Sequence, residues 1–372
     1  MDLFLKNNIS IYIHWPWCNH ICNYCDFYRF KKSKNLNYNQ ILKSYIRDLS
    51  LSKKFLISSN IMSINIGGGS PSIISTKLLR NLLEHINKNY MVDKKSEISI
   101  EVNPNDLSKK ILAEYKDMGI NRICIGVQSF DNRILQSLGR PYKKEEAIKS
   151  IIDTARYFQN TCIDLIYGTP SSSATNFKEQ LYLARNLPLK HISLYEFDFK
   201  KIKKPIYVQS KNFFLTNKSL LEEKNFIQYD FNSFSIKGYQ SFYGNSVINM
   251  EDYLGIGPSS SSRLKYKRKF IRMKNTNNLY FWLDKNKSIS KKYTLNKKNF
   301  ISEFLMLGLS KPQGINFNEL EKVTGNDIEK YINFEKILNF EKKKYATFKN
   351  GIFFLNIEGL LVKNHIISEI IF

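Results

Sequence analysis

Apolar residues recur along the first two hundred positions in short blocks that alternate between two spacings. Ser10–His14, Met62–Ile66, Glu97–Val102, Arg122–Val127, Cys162–Tyr167 and His191–Phe197 are short runs rich in β-branched and aromatic residues, and read as strands. Between them, Asn39–Phe55, Thr76–Asn89, Ser108–Met118, Arg133–Leu138, Glu145–Phe158 and Asn176–Asn186 carry helical spacing. Turn residues separate the two kinds of block: Gly67-Gly68-Gly69, Asn103-Pro104, Gly119 and Gly168-Thr169-Pro170. Six strands, each but the last followed by helix, predict a parallel sheet with right-handed crossovers. Several strands read as nearly all apolar, as expected where both faces are covered. Periodicity leaves an open sheet and a partial barrel as alternatives.

The pattern then changes. Residues 201–298 are mixed, aromatic and loop-rich, and read as an extension of the first unit. Residues 299–372 read as a small separate α+β domain. Phe300–Leu309 and Phe317–Thr324 are its predicted helices, and Gly351–Ile357 with Gly359–Val362 its predicted hairpin. The expected boundaries are therefore 1–200, 201–298 and 299–372.

A 372-residue chain with 42% hydrophobic residues can bury a large core and is not a disordered polymer. Its formal charge of +24 arises from 57 basic and 33 acidic residues. The basic residues are spread over the whole chain and interleaved with Asn and Ile, so they do not form a nucleic-acid-binding face. The densest stretches, Lys200–Lys204 and Lys265–Lys269, are short enough to be solvated loops. No apolar segment is long enough to span a membrane, and the N-terminus lacks a secretory h-region. A cytoplasmic protein is expected, with at most peripheral membrane contact.

Three of the five cysteines fall within eight residues, in Cys18-Asn-His-Ile-Cys22-Asn-Tyr-Cys25. Three thiolates on one loop can hold three irons of a cubane cluster and leave the fourth iron open to a chelating ligand. A zinc site completed by His14 or His20 is the alternative chemistry. Cys124 and Cys162 lie inside apolar strands and read as inert core residues, and His191 divides between facing a pocket and capping its strand. Glu101, Gln128, Arg140 and Asp164 sit at or near the carboxyl ends of successive strands, where parallel α/β folds bind ligands.

The cluster motif with its lead-in Tyr12-Ile13-His14-Trp15-Pro16-Trp17-Cys18 resembles the radical S-adenosylmethionine (SAM) superfamily. Within it, the chain is similar to the group of oxygen-independent coproporphyrinogen III oxidase and its relatives, with Gly67–Pro71, Ser99–Pro104, Gly126–Phe130, Leu138–Arg140, Ile163–Pro170 and His191–Tyr195 following in that group's order. The resemblance implies an α/β fold, a partial (β/α)6 radical SAM barrel with a small C-terminal α+β domain. It implies a 4Fe–4S cluster on Cys18, Cys22 and Cys25, and a SAM site lined by Tyr12, Gly68, Gly69, Ser70, Glu101, Gln128, Arg140 and Asp164, with Tyr12 on the adenine side.

Phe27 stands where the oxidase carries a further cysteine, and the first cluster cysteine is already residue 18. Both departures, with Asp26-Phe27 and Asp252–Pro258, resemble the shorter branch regarded as heme chaperones. That branch implies heme as a further ligand, passed to a hemoprotein acceptor, with an electron donor for the cluster. No catalytic residue is assigned on this reading; the alternative is an oxidase-like enzyme of porphyrin biosynthesis. Tyr243, Gly244, Val247 and Ile248 stand where the branch carries a His-Asn…Tyr-Trp motif, and Ser261 where it carries a further His.

Overall fold

The computed structural model describes residues 7–170, 172–197, 211–267, 269–284, 288–325 and 327–372. Seven parallel strands form its centre: β1 (Asn7–Trp15), β2 (Ser59–Gly68), β3 (Met91–Val102), β4 (Arg122–Gln128), β5 (Asn160–Tyr167), β6 (His191–Glu196) and β7 (Asp252–Ile256). Their order across the sheet is β7-β1-β2-β3-β4-β5-β6. Antiparallel strands extend both edges, Ser233–Ser235 beside β6 and Ser261–Tyr266 beside β7, and β6 and β7 do not pair with each other. The parallel arc is therefore open, and its first six strands and their crossover helices fall where the pattern predicts.

Two expectations are corrected. Asp252–Ile256 is a seventh parallel strand, placed beside β1 with Ile11 opposite Leu254, where the sequence reads as loop-rich. In the C-terminal unit the hairpin is Ala346–Lys349 with Ile352–Leu355, and Ile357–Leu361 is helical. The Asn356 side chain caps that helix by accepting from the Gly359 amide, an N-cap arrangement incompatible with continuing the strand. Lys200–Lys204 and Arg268 lie outside the described residues.

The strands are not apolar on both faces. Along β1, Ile9, Ile11, Ile13 and Trp15 pack outward into the core, while Ser10, Tyr12 and His14 point the other way. The same alternation runs through Ile64-Asn65-Ile66, Ile98-Ser99-Ile100-Glu101, Ile123-Cys124-Ile125 and Ile163-Asp164-Leu165. The outward isoleucines meet the apolar faces of the crossover helices, such as Leu78, Leu79, Leu82, Leu83 and Ile86 of Thr76–Asn89. The inward polar residues satisfy one another in layers. Ser63 donates to Ser10, Ser10 to Ser246, and Ser99 to Asn65. Buried Arg122 donates to Asn160 and to the Tyr239 carbonyl and pairs with Glu97, which accepts from the Phe242 amide. Helix Phe242–Ile248 thus closes the amino-terminal end of the barrel interior.

A second apolar core holds the C-terminal unit, built on Phe300, Ile301, Leu305, Phe317, Ile337, Phe353 and Ile366 among others. Its helix Lys297–Gly308 meets the barrel through Glu303, which accepts from buried Arg263; Arg263 also donates to the carbonyls of Val247 and Glu251. Among the described residues, no helix is long and apolar enough to cross a membrane.

The extension beyond β7 is fastened to the first helix by one buried carboxylate. Asp48 Oδ2 accepts from the Gly257 amide at 2.8 Å, Trp282 Nε1 at 3.0 Å and Asn275 Nδ2 at 3.1 Å. Asp48→Ala leaves three buried donors without their acceptor and should lower the unfolding free energy by about 3 kcal/mol. Urea denaturation checks this, and a loss below about 1 kcal/mol would contradict the fastening role.

Candidate functional site

Two loops build the site at the carboxyl ends of the strands. The cysteine loop begins as β1 ends. Trp17–Cys18 pairs in parallel with Phe30–Lys31, and the loop is closed by Phe30 N donating to Pro16 O (2.7 Å) and Lys32 N to Cys18 O (2.8 Å). The glycine loop after β2 docks on its base: Gly69 N donates to Trp15 O (2.6 Å) and Ser70 N to Trp17 O (2.9 Å). This close approach excludes side chains. A Cβ on Gly69 would lie 2.8 Å from Trp17 O and 3.0 Å from Cys18 Sγ. Gly68, at φ +110°, would press on the His14 ring at 2.8 Å.

These loops and the strand ends enclose a cavity of about 460 Å³, within the size range of small-molecule sites. Cys18, Cys22 and Cys25 line it, with Gly68, Gly69, Ser70, Glu101, Gln128, Arg140 and Asp164. The sulfurs also feel one another electrostatically, so the three thiols share one environment. Burial pushes the thiols of Cys18 and Cys25 up, opposed at Cys18 by a hydrogen bond from Ser70. Arg140 reaches this group from the opposite wall. Its Nη1 lies 3.3 Å from Cys22 Sγ, its Nη2 donates to Gly126 O at 2.6 Å, and its Nε donates to Tyr142 at 2.7 Å.

Glu101 and Asp164 face the cavity from β3 and β5. Burial raises Glu101 to about 7, with the neighbouring Asp164 charge adding to the rise. Burial likewise raises Asp164 to about 6, opposed by a hydrogen bond with Ser193. Two buried carboxylates held above their ordinary range favour a cationic ligand, whose charge would ionise both. Gln128 ends β4 in the left-handed region at φ 65°, an uncommon conformation for a residue with a Cβ, beside an irregularity in the β4–β5 register.

Tyr12 is not among the residues lining the cavity. It lies one layer deeper, stacked on Tyr243 at 5.6 Å between ring centroids, with its hydroxyl 3.3 Å from His14 Nδ1. His14 Nε2 lies 2.9 Å from the Tyr28 carbonyl, so Nε2 donates there and Nδ1 accepts from Tyr12. Both nitrogens of His14 are engaged within the protein, which removes it from a zinc site. Among the described residues, no three His, Cys, Asp or Glu side chains gather closely enough to hold a single metal ion. Three thiols lining one cavity are a donor set that suits the irons of a cluster.

His191 is buried and bonded to the Tyr229 hydroxyl at 2.7 Å, away from the cavity. Cys124 corrects another expectation: it is half-buried and lines the cavity, while Cys162 is buried as expected. The sequence reading also passed over Asn103, Tyr24 and Tyr195, which line the same cavity. Asn103 donates to Ser70 Oγ and to Asp106, and fixes the glycine loop from the end of β3. Its position directly after the strand was the available signal. Phe27, 63% exposed, stands at the mouth.

The Radical SAM superfamily model matches residues 12–179, and the HemN C-terminal domain model matches residues 295–362. The heme chaperone HemW of Buchnera aphidicola subsp. Acyrthosiphon pisum is 32% identical over 369 residues, covering 95% of this chain and 98% of that protein. The heme chaperone HemW of Lactococcus lactis is 28% identical over 369 residues, covering 93% and 95%. Among solved structures, coproporphyrinogen III oxidase (HemN) from Escherichia coli, a radical SAM enzyme, superposes with a TM-score of 0.82 at 17% identity, covering 98% of this chain and 90% of that one. That last likeness establishes the shared fold. Membership of the superfamily implies a 4Fe–4S cluster and SAM as cofactors. A cysteine loop docked on a glycine loop above inward-facing carboxylates, and end-to-end similarity to HemW proteins, lead to one conclusion: the chain belongs to the HemW family of radical SAM proteins.

Proposed function

We propose that this protein is a cytoplasmic heme chaperone that carries a 4Fe–4S cluster on Cys18, Cys22 and Cys25 and SAM on the iron they leave open. The observation that carries the cofactor part is the single cavity shared by the three thiols, the glycine loop and the raised carboxylates Glu101 and Asp164. The heme part rests on the full-length likeness to proteins named heme chaperone HemW.

The three thiolates hold three irons. Arg140, 3.3 Å from Cys22 Sγ, offsets the negative charge of a thiolate-bound cluster, and Arg29, bonded to the Phe27 and Cys22 carbonyls, does so from the loop itself. Gly68, Gly69 and Ser70 present backbone to the methionine portion. Glu101 and Asp164 ionise against its ammonium and sulfonium charges, and Gln128 orients the ligand from a strained backbone. Tyr12 supports the site through His14 and Tyr243. When bound, cluster and SAM supply one-electron reduction of a sulfonium, which breaks an S–C bond. Phe27 in place of a further cysteine favours carriage of heme to an acceptor over oxidation of a porphyrin precursor.

Anaerobically reconstituted protein should bind about four irons and four sulfides per chain, and Cys18→Ala, Cys22→Ala or Cys25→Ala should each lower iron to below about half. Zinc with no acid-labile sulfide would overturn the cluster assignment. Hemin titration should give a saturable Soret shift with near one-to-one stoichiometry; a linear, unsaturable response would remove the heme-carrier reading.

The pH dependence follows from the two carboxylates. In the unliganded fold their pKa values are raised, so their burial costs more stability as pH climbs from the ordinary carboxylate range through about 7. A cationic ligand needs them ionised. SAM affinity should therefore strengthen about tenfold between roughly pH 6 and 8. In Glu101→Gln, calorimetric titration should show a weaker, nearly flat profile. An unchanged profile in the variant would contradict the role of Glu101.

A further inference from the structure

One pair of nucleophiles inside the barrel is used by neither cluster nor ligand. Cys124 on β4 and Cys162 on β5 are register partners on adjacent parallel strands, and their sulfurs lie 2.8 Å apart. Direct neighbours in a sheet have Cα atoms about 4.8 Å apart, inside the Cα span a disulfide tolerates. The two sulfurs differ in access. Cys124 is half-buried and lines the cavity, whereas Cys162 is buried, outside the lining, and donates to the Ile123 carbonyl at 3.0 Å. The Arg122 guanidinium lies within electrostatic reach of both sulfurs, yet burial outweighs it at Cys162 and pushes that thiol well up.

We propose that Cys124 and Cys162 form a redox modification site, a dithiol that a small hydroperoxide entering the cavity converts to an inter-strand disulfide. Cys124 attacks the terminal peroxide oxygen; the O–O bond breaks, leaving a sulfenic acid on Cys124, and the other oxygen leaves with the Cys124 proton, as water from hydrogen peroxide or as an alcohol from an organic hydroperoxide. Cys162 then attacks the Cys124 sulfur. The S–O bond breaks as the S–S bond forms, and the hydroxyl leaves with the Cys162 proton as water. The two thiols supply the two electrons that reduce one peroxide. The order of attack follows from access: only Cys124 meets the cavity. Its position on the layer that also holds Glu101 puts this chemistry on the floor of the same cavity. The site stands whichever ligand fills the space above it.

The test treats the full-length, cluster-loaded protein anaerobically with a small excess of hydrogen peroxide, followed by acid quench, alkylation and peptide mapping. The wild type should yield a peptide pair joined through Cys124 and Cys162 that dithiothreitol separates. Cys162→Ser should accumulate a dimedone adduct on Cys124. Cys124→Ser should leave Cys162 alkylated as a thiol, oxidising at least about tenfold more slowly than Cys124 does in the wild type. The proposal is overturned if both cysteines are recovered as thiols from oxidised wild type. It is equally overturned if Cys124 is joined instead to Cys18, Cys22 or Cys25, or if Cys162 is oxidised at wild-type rate without Cys124. The wild-type map decides the bond by itself, so the outcome does not hang on how well either variant folds.

Discussion

The structure depends on a strict two-residue alternation that sends isoleucine outward and polar side chains inward on parallel strands. A parallel sheet buried on both faces has no place for Ser10, Tyr12, His14, Asn65, Ser99, Glu101 and Asp164 on one side. Those residues are tolerable only if the face curves into an interior where they bond one another or meet a polar ligand. The lower layers take the first solution, through the Ser63–Ser10–Ser246 chain and the Arg122 network. The uppermost layers take the second. Glu101 and Asp164 are left facing a cavity at raised pKa, which is an unsatisfied demand for positive charge.

The thiols are positioned by backbone and not by side-chain packing alone. The cysteine loop is pinned at both ends, by Pro16 O to Phe30 N and by Cys18 O to Lys32 N, and its base rests on the Gly67–Ser70 turn. Small residues are needed there because the two backbones approach until a Cβ would touch Cys18 Sγ. Motifs that lie some fifty residues apart in the chain are thus halves of one structural unit. The C-terminal unit joins the same framework at a distance. Glu303 holds Arg263 and Arg272, Arg272 donates to the Tyr253 hydroxyl, and Tyr253 packs edge-on against Tyr243, which stacks on Tyr12.

Features governed by local spacing were legible in the sequence. Thr76–Asn89 and Phe317–Thr324 are helices at the predicted bounds, because their apolar periodicity holds over those residues, and the Asn316 side chain caps the second by accepting from the Asn318 amide. The cysteine spacing and the polar residues at strand ends led directly to the cavity. What was not legible depended on partners remote in sequence. Asp252–Ile256 is a strand because it lies beside β1, more than two hundred residues earlier, and its five residues carry no periodicity long enough to declare it. Cys124 reads as a core residue until Cys162 and Glu101 are found on the same inward layer. Tyr12 was placed near the ligand by resemblance, yet the inward layers put it one step deeper. The alternation itself is present in Ile-Ser-Ile-Tyr-Ile-His and distinguishes a curved sheet from a flat one, but it is hidden where several strands read as nearly all apolar.

The central claim is that three thiolates leave one iron of a cubane open to the ligand above Glu101 and Asp164. Mössbauer spectroscopy of protein reconstituted with iron-57, recorded with and without SAM, addresses it most directly. The account predicts that SAM changes the isomer shift and quadrupole splitting of one iron in four and leaves the other three as they were. Four irons that respond alike, or none that responds, would contradict it.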